Sequence, residues 1–283
     1  MNRMDAAFAA MLEKGEKILV SYFPVGDSCV ADAVAWAGKF LENGTTVLEL
    51  GLPYENPVMD GAVVRESMER ALRRTDLTGA FADISDIRKA YPNALLQAMT
   101  YVENVLKYGC ERFADICAEC GVDAVLAANA DPRQLAELDK ALGRYDIRNL
   151  RFIPYRMTEE NIADLLKNPG GYVYLQAVDG ATGSSSEITD QAGENAARLR
   201  SAGVTAPLIP GFGISTPEHI KAYLAMGVDG VIVGSAIIKH ILNGTGEEYI
   251  KSLSDALRCP QTKCLTPGGV TIKHDQNQKE KGE

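Results

Sequence analysis

Apolar residues follow two alternating rhythms along this chain. Short aliphatic or β-branched runs lie at residues 17–22, 46–51, 95–100, 124–128, 150–154, 172–177, 207–210 and 230–233, the length of strands buried on both faces. Between them the apolar positions are spaced three and four apart, which predicts helices. The helix after the first strand carries Val30, Ala33, Val34, Trp36 and Phe40. Two follow the second strand, at 62–74 and 79–91. Others are expected at 109–119, 132–142, 159–166, 187–201 and 217–226, after Gly234, and at 246–257. An N-terminal amphipathic helix over 1–16 places Phe8, Met11 and Leu12 on one side. Eight strands, each followed by a helix, predict a (β/α)8 TIM barrel. A doubly wound open sheet is the alternative, but no Gly-x-Gly-x-x-Gly follows the first strand. Residues 259–283 turn polar and lysine-rich without periodicity, so the barrel domain is expected over 1–258 with a disordered tail beyond it.

One position breaks the strand pattern. In Thr46-Thr-Val-Leu-Glu-Leu-Gly51 a carboxylate, Glu49, sits between two leucines. Side chains alternate along a strand, so Leu48 and Leu50 face the outer helices and Glu49 faces the barrel interior. A carboxylate there is costly unless it is bonded or placed to do chemistry. Asp60, at the far end of a Pro-bounded loop, supplies a second acid. Two carboxylates in different environments can serve as an acid/base pair. The plainer readings are a strand-end acid bonded to a neighbouring backbone or lysine, and an Asp-Gly turn.

Charge and cysteine content narrow the function class. The formal net charge is −9 over 283 residues, and no basic stripe offsets it, which argues against nucleic acid or an anionic membrane as partner. No apolar run reaches the length of a membrane span. The six cysteines are scattered, and no signal peptide precedes them, as expected of reduced thiols in a cytoplasmic protein. Cys117 and Cys120 have metal-like spacing, but with no second pair or histidine cluster no metal site is expected.

Glycines mark the other half of the candidate site. Gly180-Ala-Thr182-Gly183 follows the sixth predicted strand, Gly211-Phe212-Gly213 the seventh, and Gly234-Ser235 the eighth. The last two clusters open helices. Glycine lets backbone N–H groups approach an anion closely, and helix N-termini add partial positive charge. This end of a TIM barrel is where phosphate binds. Tyr174 shares a strand face with Tyr172 and so points inward, as a hydroxyl donor near the pocket or as core packing.

These residues resemble the α subunit of tryptophan synthase. Glu49-Leu-Gly-Leu-Pro-Tyr-Glu-Asn-Pro-Val-Met-Asp60-Gly61 is similar to that family's Glu, Leu-Gly-Ile-Pro, aromatic, Ser-Asp-Pro, Ala-Asp-Gly motif. Tyr22-Phe-Pro-Val-Gly-Asp27, Tyr172-Val-Tyr174 and the three glycine clusters are similar to its other signatures. The resemblance implies a lyase of tryptophan biosynthesis, with no metal or organic cofactor, that cleaves indole-3-glycerol phosphate to indole and glyceraldehyde 3-phosphate. It implies that Glu49 is the general acid/base, that Asp60 accepts from the indole N–H, and that Tyr174 packs near the reacting carbons. It further implies that Gly183, Gly213, Gly234 and Ser235 hold phosphate, with Phe212, Tyr22, Tyr101 and Thr182 lining the substrate site. A β subunit is the implied partner.

Several positions depart from the family pattern. Asn56 replaces a loop acid used in communication with the β subunit, which implies a weakened response to that partner. Val102-Glu103-Asn104 replaces an Asn-Pro turn, and Asn129 replaces an aspartate. Ala177 and Val178 replace a serine and a basic residue, and Asp179 brings a negative charge toward the phosphate side. The alternatives are a barrel enzyme acting on another phosphorylated substrate and a non-catalytic barrel that binds a partner.

Overall fold

The computed structural model describes residues 2–168, 170–183 and 188–258. The predicted tail, with Cys259 and Cys264, lies outside them. The strands are β1 (Ile18–Pro24), β2 (Val47–Gly51), β3 (Leu95–Tyr101), β4 (Ala124–Ala128), β5 (Arg148–Asn149), β6 (Arg151–Ile153), β7 (Val173–Gln176), β8 (Leu208–Gly211) and β9 (Gly230–Val233). The helices are α1 (Arg3–Glu13), α2 (Ala33–Glu42), α3 (Ala62–Leu72), α4 (Leu77–Ala90), α5 (Val102–Tyr108), α6 (Cys110–Cys120), α7 (Pro132–Gly143), α8 (Glu159–Lys167), α9 (Gln191–Ser201), α10 (Pro217–Ala225), α11 (Ser235–Leu242) and α12 (Gly246–Arg258).

All strand pairs are parallel, in the order β5-β4-β3-β2-β1-β9 and β6-β7-β8. Two seams close these sheets into a barrel. Leu150 N–H donates to Val125 O at 2.7 Å, and Asp229 N–H donates to Leu208 O at 3.0 Å. β6 falls within the predicted fifth strand, and β5 precedes it, the chain passing from one sheet to the other at Leu150. The barrel expected from the alternating pattern is therefore the observed fold.

Two apolar clusters follow from strand parity. Leu19, Phe23, Leu48, Leu50, Leu96, Ala98 and Val125 pack outward against the helices. Ile18, Val20, Val47, Leu126, Leu150, Tyr172 and Ile232 fill the barrel interior. Cys117 and Cys120 belong to the outer cluster, with the Cys120 thiol donating to Phe81 O at 3.3 Å, so they serve the core. No helix among the described residues is long and apolar enough to cross a membrane.

The N-terminal helix closes the lower end of the barrel. Asn2 caps it, accepting from Met4 N–H at 2.8 Å. The same side chain donates to Asp123 O at 2.9 Å and Asp146 O at 2.6 Å, beneath the strand starts. Asp5 pairs with Arg148 at 2.6 Å and accepts from Gly171 N–H at 2.8 Å. Met4 and Phe8 enter the interior cluster, and Phe8 meets Tyr172 edge-on at 6.2 Å. Burying two such side chains contributes about 1.5–3 kcal/mol each. With the floor sealed, the barrel opens at the C-terminal ends of its strands.

The helix α5 has no counterpart among the predicted elements. It begins directly at the end of β3, so no turn residue announces it, and Asn129 supplies what local sequence lacks. That residue adopts φ 56°, and its side-chain oxygen accepts from Val102 N–H at 3.1 Å while its side-chain NH2 donates to Glu103. An asparagine tolerates this left-handed conformation, and here it caps a helix distant in sequence. The helix α9 starts at Gln191; the residues before 188 in its predicted span lie outside the described residues.

Candidate active site

Strand register places the chemistry. Parallel pairing sets Tyr22 opposite Glu49 and Glu49 opposite Gln97, all of inward parity. Glu49 is 3% exposed and Asp60 4% exposed. Both carboxylates line one cavity at the open end of the barrel, together with Tyr22, Tyr174, Thr182, Gly183, Phe212, Gly213, Gly234 and Ser235. Met59, Met99, Leu126, Phe152 and Ile232 give it an apolar wall. Apolar walls and glycine-lined ends of this kind suit an aromatic group and an anion respectively.

Glu49 accepts from the Gln97 side-chain amide at 3.0 Å. Burial pushes its carboxyl up to about 8; the Gln97 bond opposes the shift and the nearby Asp60 charge reinforces it. It therefore holds its proton near neutral pH and can give it up or take it back. Gln97 belongs to the site though the strand pattern did not single it out. The signal was available: a lone amide within Leu-Leu-Gln-Ala-Met is as anomalous as Glu49 in its own strand.

Asp60 is held differently. It accepts from the Tyr101 hydroxyl at 2.8 Å and from the Thr182 hydroxyl at 3.1 Å. Burial raises its pKa, while those two bonds and the Arg65 charge oppose the rise. The Thr182 hydroxyl also accepts from Gly61 N–H at 2.8 Å, which ties the loop after β2 to the loop after β7. A Cβ at Gly61 would collide with the Thr182 carbonyl oxygen, so glycine is required there. Tyr101, expected to line the substrate site, stands behind Asp60 instead. It is fully buried, donates to that carboxylate and accepts from Met59 N–H at 3.1 Å.

Two tyrosines reach the cavity because glycines make way for them. A Cβ at Gly51 would strike the Tyr22 hydroxyl, and one at Gly211 the hydroxyl of Tyr174. Gly211 is thus needed for space, while Gly183 and Gly213 have positive φ of 72° and 73°. Phe212 also has φ 73°, rare for a bulky residue, and packs edge-on against Tyr174 at 5.9 Å. Gly234 starts α11 with no side-chain cap, and Ser235 is its first helical residue. That leaves the first N–H groups of the helix to face the cavity end. Asp179 carries its charge outward, to Arg156 at 3.5 Å.

The Tyr22 hydroxyl is buried with no hydrogen-bond partner. Burial is the main reason its pKa is well above the ordinary tyrosine value, with Asp60 and Glu49 adding to the rise. An unpartnered buried hydroxyl costs about 1–3 kcal/mol. Tyr22→Phe should therefore raise the melting temperature of the ligand-free protein by a few degrees, roughly 2–4 °C per kcal/mol recovered. An unchanged or lowered value in thermal denaturation would mean that the hydroxyl has a partner. Among the described residues, no cluster of three or more His, Cys, Asp or Glu side chains could hold a metal.

Known proteins share this architecture. The family model for the tryptophan synthase alpha chain matches residues 8–263. The tryptophan synthase alpha chain of Citrifermentans bemidjiense is 31% identical over 253 residues, covering 89% of this chain and 94% of the relative. That of Neisseria meningitidis is 32% identical over 265 residues, covering 91% of this chain and 100% of the relative. Among solved structures, Mycobacterium tuberculosis tryptophan synthase superposes with a TM-score of 0.82 at 25% identity, covering 92% of this chain and 99% of that one. The matched span takes in the whole barrel and both buried carboxylates, and this chain belongs to the tryptophan synthase alpha chain family.

Proposed function

We propose that this protein is a carbon–carbon lyase that cleaves indole-3-glycerol phosphate to indole and glyceraldehyde 3-phosphate in tryptophan biosynthesis. The observation that carries the reading is one cavity holding two buried carboxylates at one side and the glycine loops at the other. Cleavage requires a proton on indole C3 and the removal of a proton from the adjacent glycerol hydroxyl. Glu49, protonated near neutral pH, gives its proton to C3 and so turns the indole into an indolenine. Asp60, bonded by Tyr101 and Thr182, accepts from the ring N–H and stabilises the positive charge that develops there. The Glu49 carboxylate then takes the hydroxyl proton as the C–C bond breaks. Indole regains its aromaticity, the aldehyde leaves, and Glu49 ends as it began.

Backbone N–H groups of Gly183, Gly213, Gly234 and Ser235 hold the phosphate, with the first turn of α11 aimed at it. Phe212, Phe152 and Tyr174 wall the aromatic half. Tyr22 supplies its free hydroxyl to a substrate oxygen. The proton transfers let the protonated indole ring accept the electrons of the breaking C–C bond, and this chemistry calls for no metal or organic cofactor. Cytoplasmic localisation fits a pathway of soluble phosphorylated intermediates. A tryptophan synthase β subunit is the protein partner, its contact altered where Asn56 stands in the loop after β2. The test is incubation with indole-3-glycerol phosphate, with and without a β subunit, following indole release.

Asp60→Asn should lower kcat/KM by about 10–100-fold, the worth of one charge-assisted hydrogen bond to a developing cation. Steady-state kinetics checks it. A loss as large as that of a Glu49 variant would show that Asp60 moves the proton itself.

A further inference from the structure

Gln97 does not line the cavity, yet it touches the residue on which the proposed chemistry turns. It is fully buried in β3, where an unsatisfied amide would be expensive. Both ends of the amide are occupied. Its Nε2 donates to Glu49 Oε1 at 3.0 Å, and its Oε1 accepts from the Tyr172 hydroxyl. Tyr172 is itself fixed, 1% exposed and edge-on to Phe8 of α1. A chain of contacts thus runs from the helix that seals the barrel floor, through Tyr172 and Gln97, to the carboxyl at the open end.

We infer that Gln97, oriented by Tyr172, is a positioning residue that occupies one carboxyl oxygen of Glu49 and leaves the other to exchange the proton with the substrate. The reasoning is geometric. The amide oxygen is committed to a hydroxyl donor, so the amide nitrogen must point at Glu49. With Oε1 receiving that N–H, the acid proton belongs on Oε2, and the carboxyl cannot rotate without breaking the bond. The orientation of a catalytic acid is worth rate, because proton transfer requires close and aligned approach. The bond also favours the carboxylate over the neutral acid, and so limits the rise caused by burial. The other titratable groups facing Glu49 are Tyr22 from β1, Asp60 from the loop after β2, Tyr172 just before β7 and Tyr174 from β7. Of these, Asp60 is the other carboxyl group, and its charge also opposes ionisation of Glu49.

The inference rests on Glu49 acting as the acid/base of the lyase, and the test separates the two claims. Gln97→Met keeps the volume and removes both polar ends. Tyr172→Phe removes only the anchor and leaves the amide free to turn. Losing a hydrogen bond to an ionisable group should reduce kcat by roughly 10–100-fold in Gln97→Met, and by less in Tyr172→Phe. KM for indole-3-glycerol phosphate should stay near the wild-type value, since neither residue lines the cavity. The limb of the pH–rate profile assigned to Glu49 should move to higher pH. In the double variant Tyr172→Phe should add almost nothing, because its effect passes through Gln97. A residue with a merely structural role would lower the melting temperature and leave the pH limb where it was.

The same titration can be read without substrate, by following the ¹³C-labelled Glu49 carboxyl by NMR in the wild type and in both single variants. An upward move there in Gln97→Met supports the inference even if the wild type releases no indole, an outcome that would overturn the lyase reading alone. A folded Gln97→Met protein with unchanged turnover and an unchanged Glu49 titration would overturn the inference.

Discussion

Replacing Glu49 with glutamine should lower indole release by roughly 10²–10⁴-fold, the usual contribution of a general acid/base. The amide keeps the shape and can still meet Gln97, but it cannot carry a proton to C3. Phosphate-ligand binding should be nearly unchanged, because the glycine loops lie at the other side of the cavity. Stability should move the opposite way. In the unfolded chain Glu49 titrates near 4.5, and in the folded protein at about 8. Between those values the folded state keeps a proton that the unfolded chain has released. Wild-type stability therefore falls as pH rises through this window and is level above it. Glutamine carries no such cost, so the variant's gain in melting temperature should grow from about pH 4.5 to about pH 8 and then stop growing. A Glu49 that merely finished a strand would show near-normal turnover in the same variant.

Replacing Gly213 with valine should raise KM by roughly 10–100-fold, the equivalent of losing a hydrogen bond to a charged group. Two causes act together. Gly213 has φ 73°, a conformation that a β-branched residue resists. Its neighbour Phe212 is already held at φ 73°, so the turn has little strain left to absorb. The added side chain also enters space that the phosphate would fill. The inhibition constant of glycerol phosphate should rise by the same factor, and indole, which lacks the phosphate, should bind as before. Inhibition assays with the two ligands separate loss of the anion site from collapse of the whole cavity.

Much of the molecule was legible in the sequence, for physical reasons. Strand parity alone turned Glu49 inward and its flanking leucines outward, as the two apolar clusters show. The glycine clusters after the last strands marked the cavity end, where Gly183 and Gly213 take a left-handed backbone that glycine adopts most freely. What remained hidden depended on contacts between residues far apart in the chain. Tyr101 reads as a strand-end aromatic, yet it serves Asp60 from 41 residues away. Gln97 stands out as a lone amide in its strand, but its role appears only once register sets it beside Glu49. The short α5 has no local start signal, because its cap, Asn129, is supplied by the next strand's exit. Gly211 was misleading in the other direction. Its place in a Gly-x-Gly suggested an anion, whereas its need is room for the Tyr174 ring.

The family departures acquire local explanations in the same way. Asn129 and Glu103 form one hydrogen-bonded unit at the start of α5, so these two changes belong together. Asn104 donates to Pro53 O and to the Thr100 hydroxyl, each at 3.2 Å, and so braces the loop that leads from β2 toward Asp60. Of these residues, Asn104 thus supports the loop that carries Asp60 from behind.

The most direct measurement is a time course of purified protein with indole-3-glycerol phosphate, quantifying indole and glyceraldehyde 3-phosphate together, with a β subunit present and absent. The account predicts equal amounts of the two products from the wild type, a rate that declines as Glu49 loses its proton above about pH 8, and a near-complete loss in Glu49→Gln. Indole release by Glu49→Gln at the wild-type rate, or no release by the wild type under either condition, would contradict it.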